Sequence, residues 1–397
     1  MLLWSGQVVS TIGMRVSTLA YPLLVLGLTR SPLLAGAAGA AQSAPFLLLY
    51  LPAGALVDRR DRKQVMLAAD GIRAVLLAGL AVTLAAGLLT YAQIILTVFV
   101  DGSCFVFFQL AESAALPHIV ADRHLPVALA QNQAREQGAE MAGVPLGGWL
   151  FSIGQALPFA ADAATYLISF VTLLFVRPAL QGQREQPRRG LWAQITEGLA
   201  WLWHQRLLRA LVVLTGGANL ALNSLPLAVI VRARQLGAGP ALIGLLFIFT
   251  GAAAIAGSLG APWLQRHAPA RVIVVGSLWL WATSLAALPW LPAPLDLGLA
   301  VGLGALAGPA FNVVLARYAY ALAPDWLRAR VVSSARLITW GTIPLAALGT
   351  GAMLQAAGPR ATLLAVTGLM LVIAAAGTTA RTIRRAPDPS ALSSTRP

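Results

Sequence analysis

Six carboxylates lie among long apolar runs: Asp70, Asp101, Glu112, Glu136, Glu140 and Asp162. A charge inside hydrocarbon costs about 2.5–3.5 kcal/mol on insertion scales, so each is a functional candidate, and taking up and releasing a proton is the chemistry that suits it. Glu136 and Glu140 are four residues apart and share a helix face with Asn132. Two carboxylates one turn apart repel, and uptake of one proton relieves the repulsion. They lie about 15 and 20 Å along their helix at 1.5 Å per residue. This pair is the first choice for proton coupling and Asp101 the second. The competing reading is a static ion pair with Arg15, Arg73 or Arg135. Beyond Glu197 the acids are Asp296, Asp325 and Asp388 alone, all near span ends or in the tail, which confines coupling by a buried acid to the first half.

The elements that must position these residues follow from composition. The 397 residues are 58% hydrophobic and 11% charged, with a mean hydropathy of +0.75. A soluble domain has about a quarter of its residues charged. Apolar runs of about 20 residues, each able to cross ~30 Å of hydrocarbon, recur along the chain. The fold class is an all-α polytopic membrane protein. Helices are expected at 3–28, 33–57, 65–88, 91–116, 127–154 and 157–178, and again at 205–231, 240–264, 270–291, 295–321, 331–356 and 360–381. The first stretch lacks a basic leader and contains Gln7 and Arg15, so it reads as a transmembrane helix rather than a signal peptide, with a short cytosolic leader possible before it.

The net charge of +14 would suggest nucleic acid in a soluble protein, but here the cations fill the gaps between spans, as topology requires. Twenty Lys and Arg fall in alternate loops and tails on one side and four on the other. The densest cluster is Asp58-Arg59-Arg60-Asp61-Arg62-Lys63, between the second and third helices. Cytosolic loops retain Lys and Arg, so this loop and both termini are expected in the cytosol, with the chain in a bacterial-type inner (cell) membrane. Cys104 is alone and the four His make no metal-ligand spacing, so neither a disulfide nor a metal site is expected. No Gly-Lys-Ser/Thr phosphate loop and no nucleophile–base constellation occurs. The chain is not expected to be an enzyme or to need a cofactor beyond a proton gradient.

The polar stretch 181–204 divides six spans from six, giving bundles over 1–180 and 205–381, a linker whose second part is an amphipathic helix, and a tail over 382–397. The halves are similar: Ser31-Pro32-Leu33-Leu34-Ala35-Gly36 recurs as Gly239-Pro240-Ala241-Leu242-Ile243-Gly244. Paired six-helix repeats suit a transporter that rocks one half against the other.

Gly54-x-Leu56-x-Asp58-Arg59-x-x-Arg62-Lys63 in a six-plus-six protein resembles the loop signature of the major facilitator superfamily, and the resemblance covers the whole chain. Leu3-Trp4-x-Gly6-Gln7, Leu116-Pro117, Pro145-Leu146-Gly147-Gly148 and Arg328-x-Arg330-Val331 look like its twelve-helix drug:proton antiporter branch, near the enterobactin and macrolide exporters. Three features depart from that branch: Val144 separates Gly143 from Pro145, helix 4 lacks an Arg, and Met14-Arg15 stands where helix 1 should carry an acid. The resemblance implies that Asp58 caps or pairs across the cytosolic gap as a latch, with Gly54, Arg59, Arg62 and Lys63 in the same gate motif. It makes helices 1 and 5 neighbours, so Arg15 should pair with Glu136 or Glu140, an anionic ligand group being the alternative. It also lines the substrate cavity from helices 1, 4, 7, 10 and their neighbours, where Gln7, Thr11, Tyr21, Gln109, Asn132, Asn219, Asn223, Asn312 and Tyr318 are the polar or aromatic candidates. Small residues such as Gly147 and Gly148 let helices approach, and Pro145 and Pro344 are expected as paired bends.

The expected function is export of a small amphipathic or hydrophobic compound by alternating access, coupled to proton entry, by a monomer in the bilayer without nucleic acid. An importer or facilitator of a metabolite, or a transport-inactive scaffold or sensor, are the alternatives.

Overall fold

A computed structural model describes residues 2–119, 125–175 and 191–387. The side chain of Asp58, those of Arg328 and Arg330, residues 181–190 and most of the tail lie outside the described residues. Six helices form the first half: α1 (Leu2–Thr29), α2 (Pro32–Arg59), α3 (Arg62–Ala85), α4 (Tyr91–Ile119), α5 (Leu125–Ile153) and α6 (Leu157–Phe175). There follow α7 (Leu191–His204), α8 (Arg206–Gln235), α9 (Pro240–His267), α10 (Ala270–Ala287), α11 (Pro294–Ala305), α12 (Ala307–Leu322), α13 (Asp325–Trp340), α14 (Thr342–Thr379) and the single turn α15 (Arg381–Arg384).

Among the described residues ten stretches are long and apolar enough to cross a membrane. The polar α5 is not one of them, although it runs 29 residues. The longest, Leu337–Thr379, contains two limbs, because Gly358 takes φ 75, ψ 173 inside α14. Glycine alone adopts that conformation without cost, and Pro359 after it has no N–H with which to continue the helix. With α5 and the two limbs counted separately, the fold is the expected twelve-span, all-α one.

The helix ends follow local chemistry. Ser31 accepts from Leu34 N at 3.3 Å, with Pro32 at the first helical position of α2. Asp61 caps α3, accepting from Lys63 N at 2.8 Å and Gln64 N at 3.4 Å, so α3 starts at Arg62 rather than 65. Asp58, expected to follow the helix end and to cap or pair across the gap, lies within the last turn of α2; the cap of α3 is Asp61. The expected helix 295–321 loses its regular hydrogen bonding at Leu306 (φ −54, ψ −33) and the expected helix 331–356 at Gly341 (φ −60, ψ −16), but the backbone stays helical through both points. Both points sit just ahead of a proline, Pro309 and Pro344, whose ring would clash with the carbonyl four residues earlier. Pro145 sits inside a continuous α5, and Pro344 in the first turn of α14.

The residues cluster into two compact units: α1–α6 with Gly237–Ile248, and α7, α8 and Phe249 onward. In the first, α1 packs on α5 and α6, α3 on α4 and α6, and α2 on α4. A Cβ on Gly147 would strike the Val16 carbonyl of α1, and one on Gly148 would meet the backbone of Pro240 and Gly244. These glycines set how closely α5 lies against α1 and the first turns of α9. Below the charged end, Val57, Met66, Ala69, Cys104, Phe108 and Leu173 pack as one buried cluster. In the second unit α8 packs on α14, α10 on α11, α12 and α14, and α13 on α7 and α8.

Hydrocarbon offers no hydrogen bonds, so polar groups must be satisfied within the chain. Thr11, Thr29, Thr215 and Ser224 accordingly donate back to carbonyls four residues earlier. Large apolar side chains such as Val75, Val82, Leu259 and Val372 remain outside, as expected of surface that faces lipid.

Candidate functional site

Five helices of the first unit line a narrow, partly open polar cleft with a cavity volume of about 40 Å³. α1 contributes Gln7, Ser10, Thr11 and Met14; α4 contributes Phe105, Phe108, Gln109 and Glu112; both sets recur at helical spacing and so form one face each. α3 adds Asp70 and Arg73, α5 adds Arg135 and Glu136, and α6 adds Tyr166.

Each of three arginines is matched to one carboxylate on another helix. Arg73 Nε donates to Asp101 Oδ1 at 2.7 Å, with the two side chains 4% and 8% exposed. The Arg73 guanidinium also lies 3.9 Å from the centroid of the Tyr166 ring. Arg135 forks onto Glu112, Nη1 to Oε1 at 2.8 Å and Nη2 to Oε2 at 3.3 Å. Arg15 Nη1 lies 3.3 Å from Glu140 Oε2, in a more exposed pair. Removal of one partner of the buried Arg73–Asp101 pair leaves an uncompensated charge, at about 3–5 kcal/mol.

Among the described residues, Asp70, Glu136 and Asp162 make no ion pair. Asp70 is 1% exposed; Ser169 Oγ donates to its Oδ2 at 2.6 Å and itself receives Gln7 Nε2 at 3.3 Å. Asp162 is buried beside Thr165, whose Oγ1 is 3.3 Å from Oδ1. Glu136 is half-buried on the cleft wall. Embedded acids, some neutralised and some not, give the site the means to exchange protons; among the described residues no group of His, Cys, Asp and Glu could hold a metal ion.

The family model for transmembrane secretion effectors matches residues 1–394. The chain belongs to that family. It is a multi-pass membrane transporter of the major facilitator superfamily, and its relatives place it in the drug-efflux branch. The multidrug efflux pump Tap of Mycobacterium tuberculosis is 28% identical over 388 residues, covering 92% of this chain and 89% of the pump. Macrolide efflux protein A of Streptococcus pyogenes is 25% identical over 215 residues, 53% of each chain. In fold, the crystal structure of the nucleoside transporter NupG (D323A mutant) matches with a TM-score of 0.75 at 13% identity, over 95% of this chain and 99% of that one.

Within this major facilitator chain the expected coupling residues separate. Glu140 is tied to Arg15 and Asp101 to Arg73, while Glu136 faces the cleft. Arg135, one of the partners for Glu136 and Glu140 in the competing static-pair reading, reaches Glu112 of α4. Of the expected cavity residues, Gln7, Thr11 and Gln109 line the cleft. Asn132 lies one turn beyond its lining. Tyr21 is buried with its ring 5.1 Å from Phe159, away from the cleft. In the second unit Asn219 Nδ2 donates to Thr339 O at 3.2 Å and Asn223 Nδ2 to Asn219 O at 2.8 Å. Asn312 is exposed, and the Tyr318 hydroxyl donates to Pro387 O at 3.1 Å. Helix-to-backbone bonds thus account for three of these four.

In the gate motif, Arg62 Nη1 donates to Ala114 O of α4 at 2.8 Å and Lys63 Nζ to Leu174 O of α6 at 3.0 Å. Arg59 is exposed, and a Cβ on Gly54 would meet nothing within 4 Å. Sequence reasoning missed Tyr166 and Ser169. Their signal was the spacing 162, 166, 169, which puts both on one face of α6 with Asp162.

Proposed function

We propose that this transporter exports a small amphipathic or hydrophobic compound, whether drug, siderophore or metabolite, by alternating access, and that proton entry drives it. The relatives named as multidrug and macrolide efflux pumps support the cargo class and the direction. The observation that carries the coupling is the cleft, where embedded carboxylates outnumber their arginine partners in the first unit. The proton gradient replaces any bound cofactor. The Lys and Arg asymmetry supports a cell-membrane protein with both termini in the cytosol, two six-helix bundles over 1–180 and 205–381, the 181–204 linker and the 382–397 tail on that side. The protein acts as a monomer, and Asp58 with its basic neighbours latches the cytosolic side.

The test is ethidium uptake by energised everted vesicles carrying the protein. Uptake above that of vesicles lacking the protein, lost when nigericin collapses the pH gradient, is expected. Uptake that survives collapse of both the pH gradient and the membrane potential would overturn the coupling. For topology, Arg60→Cys in a Cys104→Ser background should react with an impermeant maleimide in everted vesicles and not in intact cells; the reverse pattern overturns the orientation.

A further inference from the structure

The excess of acids over arginines in the cleft poses a specific question, because an ionised carboxylate sealed in an apolar bundle needs either a cation or a proton. Asp70, Asp162 and Glu136 differ in how they meet that need. Glu136 is half-buried and open to the cleft. Asp162 does not line the cleft and is covered by α1, where a Cβ on Gly13 would come within 2.7 Å of its Oδ1. Asp70 alone is both sealed in protein, at 1% exposure, and on the cleft lining.

Its surroundings provide for two protonation states. Ser169 Oγ, 2.6 Å away, is a hydroxyl that can donate to the carboxylate or, with its hydrogen rotated, accept from the carboxyl. Gln7 holds that hydroxyl in place from α1. One turn along α3 lies Arg73, whose Nε is committed to Asp101 but whose Nη2 is buried without any hydrogen-bond acceptor. Residues three apart on a helix are neighbours. An unused guanidinium N–H thus lies on the same face of α3 as a carboxylate that makes no ion pair.

We propose that Asp70 is the group that exchanges the transported proton, with Arg73 as the residue that responds to it and Ser169 and Gln7 as positioning residues. This assignment rests on the proton-coupled reading above. With the proton on Asp70, its O–H donates to Ser169 and Arg73 stays with Asp101. When the proton passes to water in the cleft, the electron pair of the broken O–H bond stays on the carboxylate. Ser169 then donates to that carboxylate, and Arg73 Nη2 bridges it to Asp101. The charged and titratable groups around Asp70 are Arg73 on its own helix, Cys104 and Glu112 from α4, Tyr166 from α6, and the Arg135–Glu136 wall of α5; the α1 lining contributes only uncharged groups.

The test is infrared difference spectroscopy of the reconstituted full-length protein as pH is stepped upward, which reads the carboxyl C=O band without needing the natural cargo. Wild type should lose a protonated-carboxyl band, and Asp70→Asn should lack that change while Glu136→Gln keeps it. A band change intact in Asp70→Asn, or absent from wild type, overturns the assignment. Should Asp70→Asn fail to fold, Ser169→Ala decides: it should keep the band and move its midpoint, and an unmoved midpoint counts against Asp70. In a parallel arm, ethidium affinity of wild type should rise with pH by up to about tenfold per unit if one proton leaves for each cargo bound, and Asp70→Asn should be flat. A band assigned to Asp70 with no proton-driven ethidium transport by wild type would sink the coupled function and leave the proton site standing.

Discussion

Asp101→Asn tests the charge arrangement around Arg73 most directly. The substitution keeps size and removes the charge, leaving the Arg73 guanidinium with no carboxylate at 2.7 Å in a site where its side chain is 4% exposed. The Tyr166 ring stays 3.9 Å away in both proteins and so compensates nothing new. An unmatched charge at this depth costs about 3–5 kcal/mol. Asp70, one turn before Arg73, can offset part of that by accepting the Nη2 hydrogen, so the single variant should lose less than the full amount. Asp70→Asn/Asp101→Asn removes both carboxylate charges and should lose all of it. For a unit of 150–250 residues, 1 kcal/mol moves Tm by about 2–4 °C, so the double variant should melt on the order of 10 °C below wild type. Thermal unfolding in detergent, followed by fluorescence of the eleven tryptophans, reads this, and the four proteins make a double-mutant cycle. Strict additivity would refute the sharing of Arg73, and a double variant that melts like wild type would refute the buried pair itself.

Other substitutions test the neighbouring elements. Gly147→Leu places a side chain against the Val16 carbonyl; α5 must move off α1, and yield of folded protein by fluorescence-detected size exclusion should fall sharply. Tyr166→Phe should keep the stability of wild type, whereas Tyr166→Leu loses the ring under the Arg73 cation, about 1–2 kcal/mol when desolvated, visible as a lower Tm. Asp61→Ala removes the cap of α3, worth about 1 kcal/mol, and should lower Tm slightly; Asp61→Asn should restore it.

Where the sequence was readable, one physical rule dominated. Hydrocarbon thickness fixes span length and cation placement fixes the loops, so the spans were legible from α1 to the second limb of α14. The interruptions in hydrogen bonding at Leu306 and Gly341 were harder to place, because a proline disturbs a helix in one setting and is carried through it in another, as Pro145 is within α5. The pairing of charges was not legible. Each Arg–acid pair joins two helices, and helical spacing relates residues only within one. Glu136 and Glu140 share a face in projection, yet about 6 Å of rise separates them, enough for Glu140 to meet Arg15 of α1 while Glu136 faces the cleft. Nor could the spacing of α3 reveal that Arg73 points to α4 and leaves Asp70 to Ser169.

The basic start of α3 and the cleft wall lie along one continuous helix. α3 runs from Arg62 with no proline inside it, and eight residues separate Arg62 from Asp70, about 12 Å at 1.5 Å per residue. At its charged end Arg62 and Lys63 hold backbone carbonyls of α4 and α6. Two turns further on, Arg73 holds Asp101 of α4 and Asp70 holds Ser169 of α6. The same helix thus meets the same two neighbours at both levels, through bonds from Arg62 and Lys63 to backbone carbonyls at one and through Arg73–Asp101 and Asp70–Ser169 at the other. On the proposal that Asp70 exchanges the proton, a change in its charge would act at the level of Ser169 and Arg73, about 12 Å along α3 from Arg62, and the response expected of a continuous helix held at Arg62 is a tilt rather than a slide along its axis.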